Sequence, residues 1–341
     1  MRICFDSRAA NEMHGIGRYA RCLLAALRSV RAGEVLESHR PRPRCCGVFH
    51  SPWLDGALLH PPVPMVVTLH DLVPLKRRGE YLRMGLRFKL RYLAVQRASR
   101  VIVPTRAVAT DAQSALGIPA ERIAVIPEAA APVFYPRSEE EVAAVRARLQ
   151  LPEHYLLWVG NLRRPDPRKR VRALARARRE LPLVLAGDAG RWARELPNVI
   201  LTGKLTDEEL AALYTGAHAL VFPSTEEGFG LPPIEALACG TPVAACDLPV
   251  TREVLGHRAT LWEVGDLDGL LKAAEQARRP APEPPSWSWS QAAAATWEVY
   301  TAAAQAAQVS SSNVTGPSPI SSTAIRAPKA PRRAPVRSQK R

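Results

Sequence analysis

In GKLTDEELAALYTGAHALVFPSTEEGFGLPPIEALACGTPVAACDLPVTREVLG, residues 203–256, two short apolar runs, Ala219–Phe222 and Val243–Cys246, flank a segment of helical character. Each run has the length of a strand buried on both faces. Thr206 and Glu209 stand at capping-box spacing and predict a helix over 207–215. A second helix is expected over 233–238, between the two strands. Strands joined through helices can pair only in parallel, with helices covering the sheet.

The turn between strand and helix carries the chemistry. Gly228 and Gly230 remove side chains there, so backbone N–H groups can approach an anion closely. Pro232 and Pro233 suit a helix start, where unpaired amides and the helix dipole attract negative charge. Glu235 is expected in the first turn of that helix, with its ionised form favoured by the dipole. An ionised carboxylate can accept from both hydroxyls of a ribose, and Glu227, if it faces a sugar, can do the same for a hexose.

Working outward, the same alternation continues on both sides. Apolar runs at 155–159, Leu183–Ala186 (closed by Gly187) and Val199–Leu201 complete one series. Runs at 2–6, 47–50, 65–70, 101–104 and 123–127, with a helical stretch opened by the Gly-containing turn 15–19 and running to about residue 30 and a second over 107–116, make another. The series meet near 136–151. Residues 1–150 and 151–308 are thus each expected to form a doubly wound α/β domain. A tryptophan-bearing helix (Trp287, Trp289 and Trp297 in or near it) ends the second. Residues 309–341 are Ser, Pro, Ala and Arg, a composition that buries no core and predicts disorder. Residues 31–46 read as a Pro/Arg-rich connection, which leaves the first domain abbreviated.

Segment 203–256 closely resembles the donor-binding core of the large GT-B glycosyltransferase family numbered four, whose signature is two glutamates in E-x7-E register. Glu227 and Glu235 fill that register, inside EGFGLPPIE. The resemblance implies two Rossmann-like domains facing across a cleft and retaining transfer of a hexose from a nucleotide-diphosphate sugar. It gives Glu227 to the transferred sugar and Glu235 to the ribose, with Gly228, Phe229, Gly230 and Leu231 in the donor loop. The turn after strand 155–159 ends in Arg168-Lys169, like the Arg-Lys pair that clamps the diphosphate in this family. Asn161 stands where relatives often carry Arg or Thr, so Arg163 or Arg164 is expected to supply the missing charge.

Gly15-Ile16-Gly17-Arg18-Tyr19 looks like the family's GIGRY loop, which implies that Gly15 and Gly17 face the diphosphate from the first domain. His70, in VVTLHDLVPL, ends a buried strand and is assigned with Glu227 to the reaction centre; Asp71 is expected to orient its ring or cap the next segment. His50 is expected on the acceptor side. Thr105 stands where relatives carry Ser, and Glu128 ends the last strand of the domain near the cleft. No D-x-D is placed to hold a metal-bridged diphosphate, so metal-independent transfer without a cofactor is expected, with Lys169, Arg168 and helix amides stabilising the leaving group. The acceptor implied is a glycan or lipid-linked glycan of cell-surface polysaccharide synthesis, with mannose preferred as the sugar. A competing expectation, motivated by the abbreviated first domain, is a nucleotide-sugar-binding protein with lost or vestigial transfer.

The composition is that of a soluble globular protein, 47% hydrophobic and 23% charged, but its net charge is +15. Seven basic residues and no acid lie in 309–341, and without them +8 remains, which suits an anionic partner. From Lys76 to Arg106 ten basic residues accompany one acid, and Leu82, Leu86, Leu90 and Leu93 recur at helical spacing. That pattern suits an anionic membrane surface carrying a lipid-linked acceptor, or else a helix packed on the core with a solvated Arg face. The tail charges lack interleaved aromatics, so no specific nucleic-acid partner is expected. Six cysteines without C-x-x-C spacing read as reduced thiols. With no signal sequence or spanning run in view, a cytoplasmic location is expected, at the inner face of the membrane if the basic helix binds there.

Overall fold

The computed structural model describes residues 1–12, 15–39, 46–72 and 85–312. Residues 313–341 of the basic tail and the first part of the basic helical stretch 76–106 lie outside the described residues, whereas 309–312, expected to be disordered, continue the last helix.

Two six-stranded sheets form, and every strand pairing in them is parallel. The first contains β1 (Ile3–Asp6), β2 (Val35–Ser38), β3 (Val48–Ser51), β4 (Met65–Thr68), β5 (Arg100–Val103) and β6 (Ile123–Val125), in the order β2-β1-β3-β4-β5-β6. The second contains β7 (Leu156–Val159), β8 (Leu183–Ala186), β9 (Val199–Leu201), β10 (Ala219–Phe222), β11 (Val243–Cys246) and β12 (Thr260–Trp262), in the order β12-β11-β10-β7-β8-β9. The central strands are buried along their whole length, which is why they read as unbroken apolar runs.

Helices cover both sheets. Among the described residues those of the first half are α1 (Gly15–Val30), α2 (Leu86–Gln96), α3 (Arg106–Leu116) and α4 (Glu139–Leu149). Those of the second are α5 (Val171–Arg176), α6 (Arg191–Arg194), α7 (Asp207–Gly216), α8 (Leu231–Ala238), α9 (Pro249–Leu255), α10 (Leu267–Glu275) and α11 (Trp289–Ser312). The capping box at the start of α7 is formed: Thr206 accepts from the Glu209 amide, and Glu209 accepts from that of Thr206.

Strand order reverses between β1 and β3 in one sheet and between β7 and β10 in the other. Crevices open beyond the carboxyl ends of strands at such points, because the connections leave to opposite faces. The loops that carry the sequence motifs lie there, after β1, β7 and β10.

Two features differ from the sequence reading. The connection 31–46 holds an edge strand, β2, which pairs with β1 through Val35 and Ile3. Only Val35 in it is buried, so it has no apolar run to announce it. The excursion is still short: among the described residues no helix lies between β2 and β3. Dividing the chain at residue 150 also separates elements that pack together. α4 packs against α7 of the second domain, whereas α11 returns to the first and puts Trp289, Trp297 and Tyr300 into one core with Ile3, Phe5, Leu23 and Leu27.

Candidate functional site

A cleft of about 940 Å³ runs between the two sheets, lined from both domains. On the second-domain side α8 begins at Gly230, whose φ of +93° places it in the left-handed region that an L side chain rarely adopts. The prolines at 232 and 233 donate nothing, which leaves the amides of residues 228–231 as the donors at this end. Gly228, Phe229, Gly230 and Leu231 all line the cleft, as the motif predicts.

Glu235 is the fifth residue of α8, not a first-turn residue as expected, and it is fully buried at the cleft wall. Its Oε1 accepts from Arg18 Nη1 at 2.5 Å and its Oε2 from the Tyr214 hydroxyl at 3.1 Å. Arg18 also donates to Asp207 and lies over the Phe134 ring, 4.8 Å from its centroid. Burial pushes the Glu235 carboxyl up, Arg18 and Tyr214 pull it down, and the balance stays above the ordinary range. Glu227 lies in the cleft within electrostatic reach of Lys169 and Arg168. Burial raises its pKa, and those two cations offset only part of the rise.

The basic turn is less simple than its sequence. Lys169 and Arg168 line the cleft, but Arg168 donates from Nε and Nη2 to Asp166 at 3.0 and 2.8 Å and approaches Asp71 at 4.0 Å. Its charge is therefore partly matched. Arg163 pairs with Asp188 of the cleft rim at 2.6 Å but leaves its side chain 63% exposed, and neither it nor Arg164 lines the cleft. Arg18, Arg21 and Lys204 stand there instead. Arg18 lies inside the GIGRY stretch itself, between the glycines and Tyr19.

On the first-domain side, residues 15–19 are already the opening of α1, not a turn before it. Gly15 lines the cleft beside Leu231, whereas Gly17 is buried against the Glu12 carbonyl and does not itself line the cleft. His70 lines the cleft with Glu128, and the two are bonded at 3.0 Å. Glu128 thus takes the orienting role expected of Asp71. His50 is not on the acceptor side: it is buried between the Thr68 and Tyr300 hydroxyls, at 2.9 and 2.6 Å. Burial pushes its pKa down to about 3, so it is a neutral core residue.

The domains touch beside the cleft. The Thr105 hydroxyl donates to the Gly228 carbonyl at 3.1 Å, and the Glu253 carboxylate accepts from the amides of Arg106 and Ala107 at 2.7 and 3.2 Å. Those amides open α3, so a carboxylate on α9 of one domain caps a helix of the other.

Residues 153–278 match the family described as glycosyl transferases group 1, and residues 13–130 match glycosyltransferase family 4. The serotype-specific mannosyltransferase WbdA of Escherichia coli is 28% identical over 63% of this chain, which spans 29% of WbdA. O-antigen chain mannosyltransferase B of Escherichia coli is 28% identical over 78% of this chain and 74% of its own length. Among solved structures, Anabaena HepE in complex with UDP-glucose superposes with a TM-score of 0.63 at 19% identity, covering 92% of this chain and 100% of that one, a likeness of fold. With both halves matched in order along one polypeptide and folded as two facing Rossmann-like domains, the chain belongs to the group 1 glycosyltransferases of GT-B fold.

Proposed function

We propose that the chain transfers a hexose, with retention of configuration, from a nucleotide-diphosphate sugar to a glycan or lipid-linked acceptor in cell-surface polysaccharide synthesis. The observation that carries this reading is the convergence on one cleft of Glu227, Lys169, Arg168 and the amides of residues 228–231, at the point where strand order reverses. In this reading Glu235 holds the ribose, the amides and Lys169 hold the diphosphate, and Glu227 holds the hexose. As the bond from the sugar C1 to the β-phosphate oxygen breaks, the acceptor oxygen bonds to C1 on the same face and its proton passes to that departing oxygen. Lys169 and Arg168 stabilise the charge that develops there, so no metal is assigned a role. The similarity to mannosyltransferases favours mannose.

The test incubates the purified chain with UDP-, GDP- and ADP-sugars, with and without a lipid-linked glycan, and follows nucleotide release. Release that depends on the acceptor and persists in excess EDTA is expected. Binding without release from any donor would turn the reading into that of a sugar-nucleotide-binding protein.

The acceptor is proposed to arrive on an anionic membrane surface at the inner face of the membrane. Helix α2 buries Tyr92, Ala94 and Val95 but leaves Leu86, Leu90 and Leu93 73%, 38% and 50% exposed. The expected apolar stripe therefore faces outward, as a membrane-surface helix requires. No helix among the described residues is long and apolar enough to cross a bilayer. Replacing the three leucines by serine is expected to lower co-sedimentation with anionic vesicles about tenfold. Unchanged sedimentation would sink the membrane assignment.

A further inference from the structure

Both ring nitrogens of His70 face acceptors. Nδ1 lies 3.0 Å from Glu128 Oε1, and Nε2 lies 2.9 Å from the Pro52 carbonyl oxygen. A backbone carbonyl has no proton to give, so Nε2 carries one. Nδ1 faces a carboxylate oxygen and is placed to donate a second proton to it. The pair is nearly sealed, with Glu128 3% exposed, yet both residues border the cleft.

We propose that Glu128 is a positioning residue for sugar transfer, holding the His70 ring doubly protonated and clamped in the floor of the cleft. The proposal rests on the transferase reading above and deepens it in three ways. A ring with both nitrogens engaged cannot serve as the base that takes the acceptor proton, which leaves that proton to the departing phosphate oxygen. Its positive charge lies on the first-domain side of a cleft whose other wall carries Lys169 and Arg168, so the diphosphate leaves between cations from both domains. The clamp also fixes the His70 backbone, whose carbonyl oxygen is packed directly against Gly228 of the donor loop.

The groups facing His70 favour this state. Tyr19 of α1 meets its ring edge-on at 4.6 Å, and burial keeps that phenol protonated. His50 of β3 is neutral. Asp71, on the same segment, adds a second negative charge, and Arg168 of the other domain comes within 4.0 Å of it. Burial alone would lower the His70 pKa, but Glu128, the Pro52 carbonyl and Asp71 outweigh it and leave it raised. A function that needs the imidazolium is therefore present below that raised pKa and lost as pH rises through it.

The test is nitrogen-15 NMR of the histidine-labelled, ligand-free chain, with the His70 signals assigned by their loss in His70→Gln. Two protonated ring nitrogens are expected to persist to higher pH than in an ordinary histidine, and Glu128→Gln should lower their titration midpoint by about one pH unit or more. In the transfer assay the alkaline fall of kcat should move acidward by the same amount in Glu128→Gln and return in Glu128→Asp. A neutral His70 tautomer at pH 7 in the wild type would overturn the proposal. So would an unmoved midpoint, or a loss of kcat at every pH without displacement of the alkaline limb, because Glu128 would then be merely structural. A protonated His70 in a chain that turns over no donor would uphold the clamp and sink the transferase reading instead.

Discussion

Alanine at position 235 is expected to raise the dissociation constant of a nucleoside diphosphate by about 100-fold, measured by isothermal titration calorimetry. Hydrogen bonds to a charged group contribute about 1.5–3 kcal/mol each, and 100-fold corresponds to about 2.7 kcal/mol, so the loss of two ribose contacts suffices. Each carboxylate oxygen offers two lone-pair positions, and Arg18 and Tyr214 use one on each. In the proposed ribose role the remaining positions accept the two hydroxyls, while Arg18 stays bonded and favours the ionised form. Removing Arg18 should consequently act through pH. Without its guanidinium the buried Glu235 carboxyl rises further, so nucleotide affinity in Arg18→Ala should fall as pH is lowered through that pKa, more steeply than in the wild type. Wild-type affinity in Glu235→Ala would end the ribose assignment.

The sequence made the second domain legible because each of its signals is local. Ala219–Phe222 and Val243–Cys246 are buried on both faces and so apolar at every position, while Thr206 and Glu209 satisfy each other within one turn. What stayed hidden depends on partners far along the chain. Arg18 and Glu235 are 217 residues apart, and nothing near either one marks the pairing. Arg163 and Arg168 look equivalent in sequence, yet one pairs with Asp188 and stays mostly exposed while the other is held at the cleft by Asp166. Periodicity in α2 identified a leucine stripe, but a period says nothing about which face the domain covers. Tyr92 and Val95 took the buried side. The expectation for His50 failed for a related reason: the Tyr300 hydroxyl that engages it arrives on α11, 250 residues later.

Alanine at position 228 is expected to reduce kcat/KM by about 100-fold or more, whereas alanine at position 15 should leave it within about threefold, although both glycines belong to motifs of the same cleft. A Cβ at 228 would lie 1.8 Å from the His70 carbonyl oxygen and 2.9 Å from its carbon. Both obstacles are backbone, so no rotamer relieves them, and the donor loop and the 69–71 segment must separate by more than an ångström. That movement breaks the Thr105 bond to the Gly228 carbonyl, which is 3.1 Å long, and pulls on the segment that holds His70 against Glu128. At position 15 the nearest atom to a new Cβ is Leu231 Cδ1 at 3.7 Å, an ordinary contact at the end of a flexible side chain. The contrast separates a glycine with ordinary space beside it from one required by the close approach of the two domains. Small-angle scattering should therefore show a larger radius of gyration for Gly228→Ala than for Gly15→Ala, with the melting temperature of each close to that of the wild type. A Gly228→Ala enzyme that keeps full kcat/KM would mean that transfer proceeds with the cleft open, and that the contact between Gly228 and His70 is packing alone.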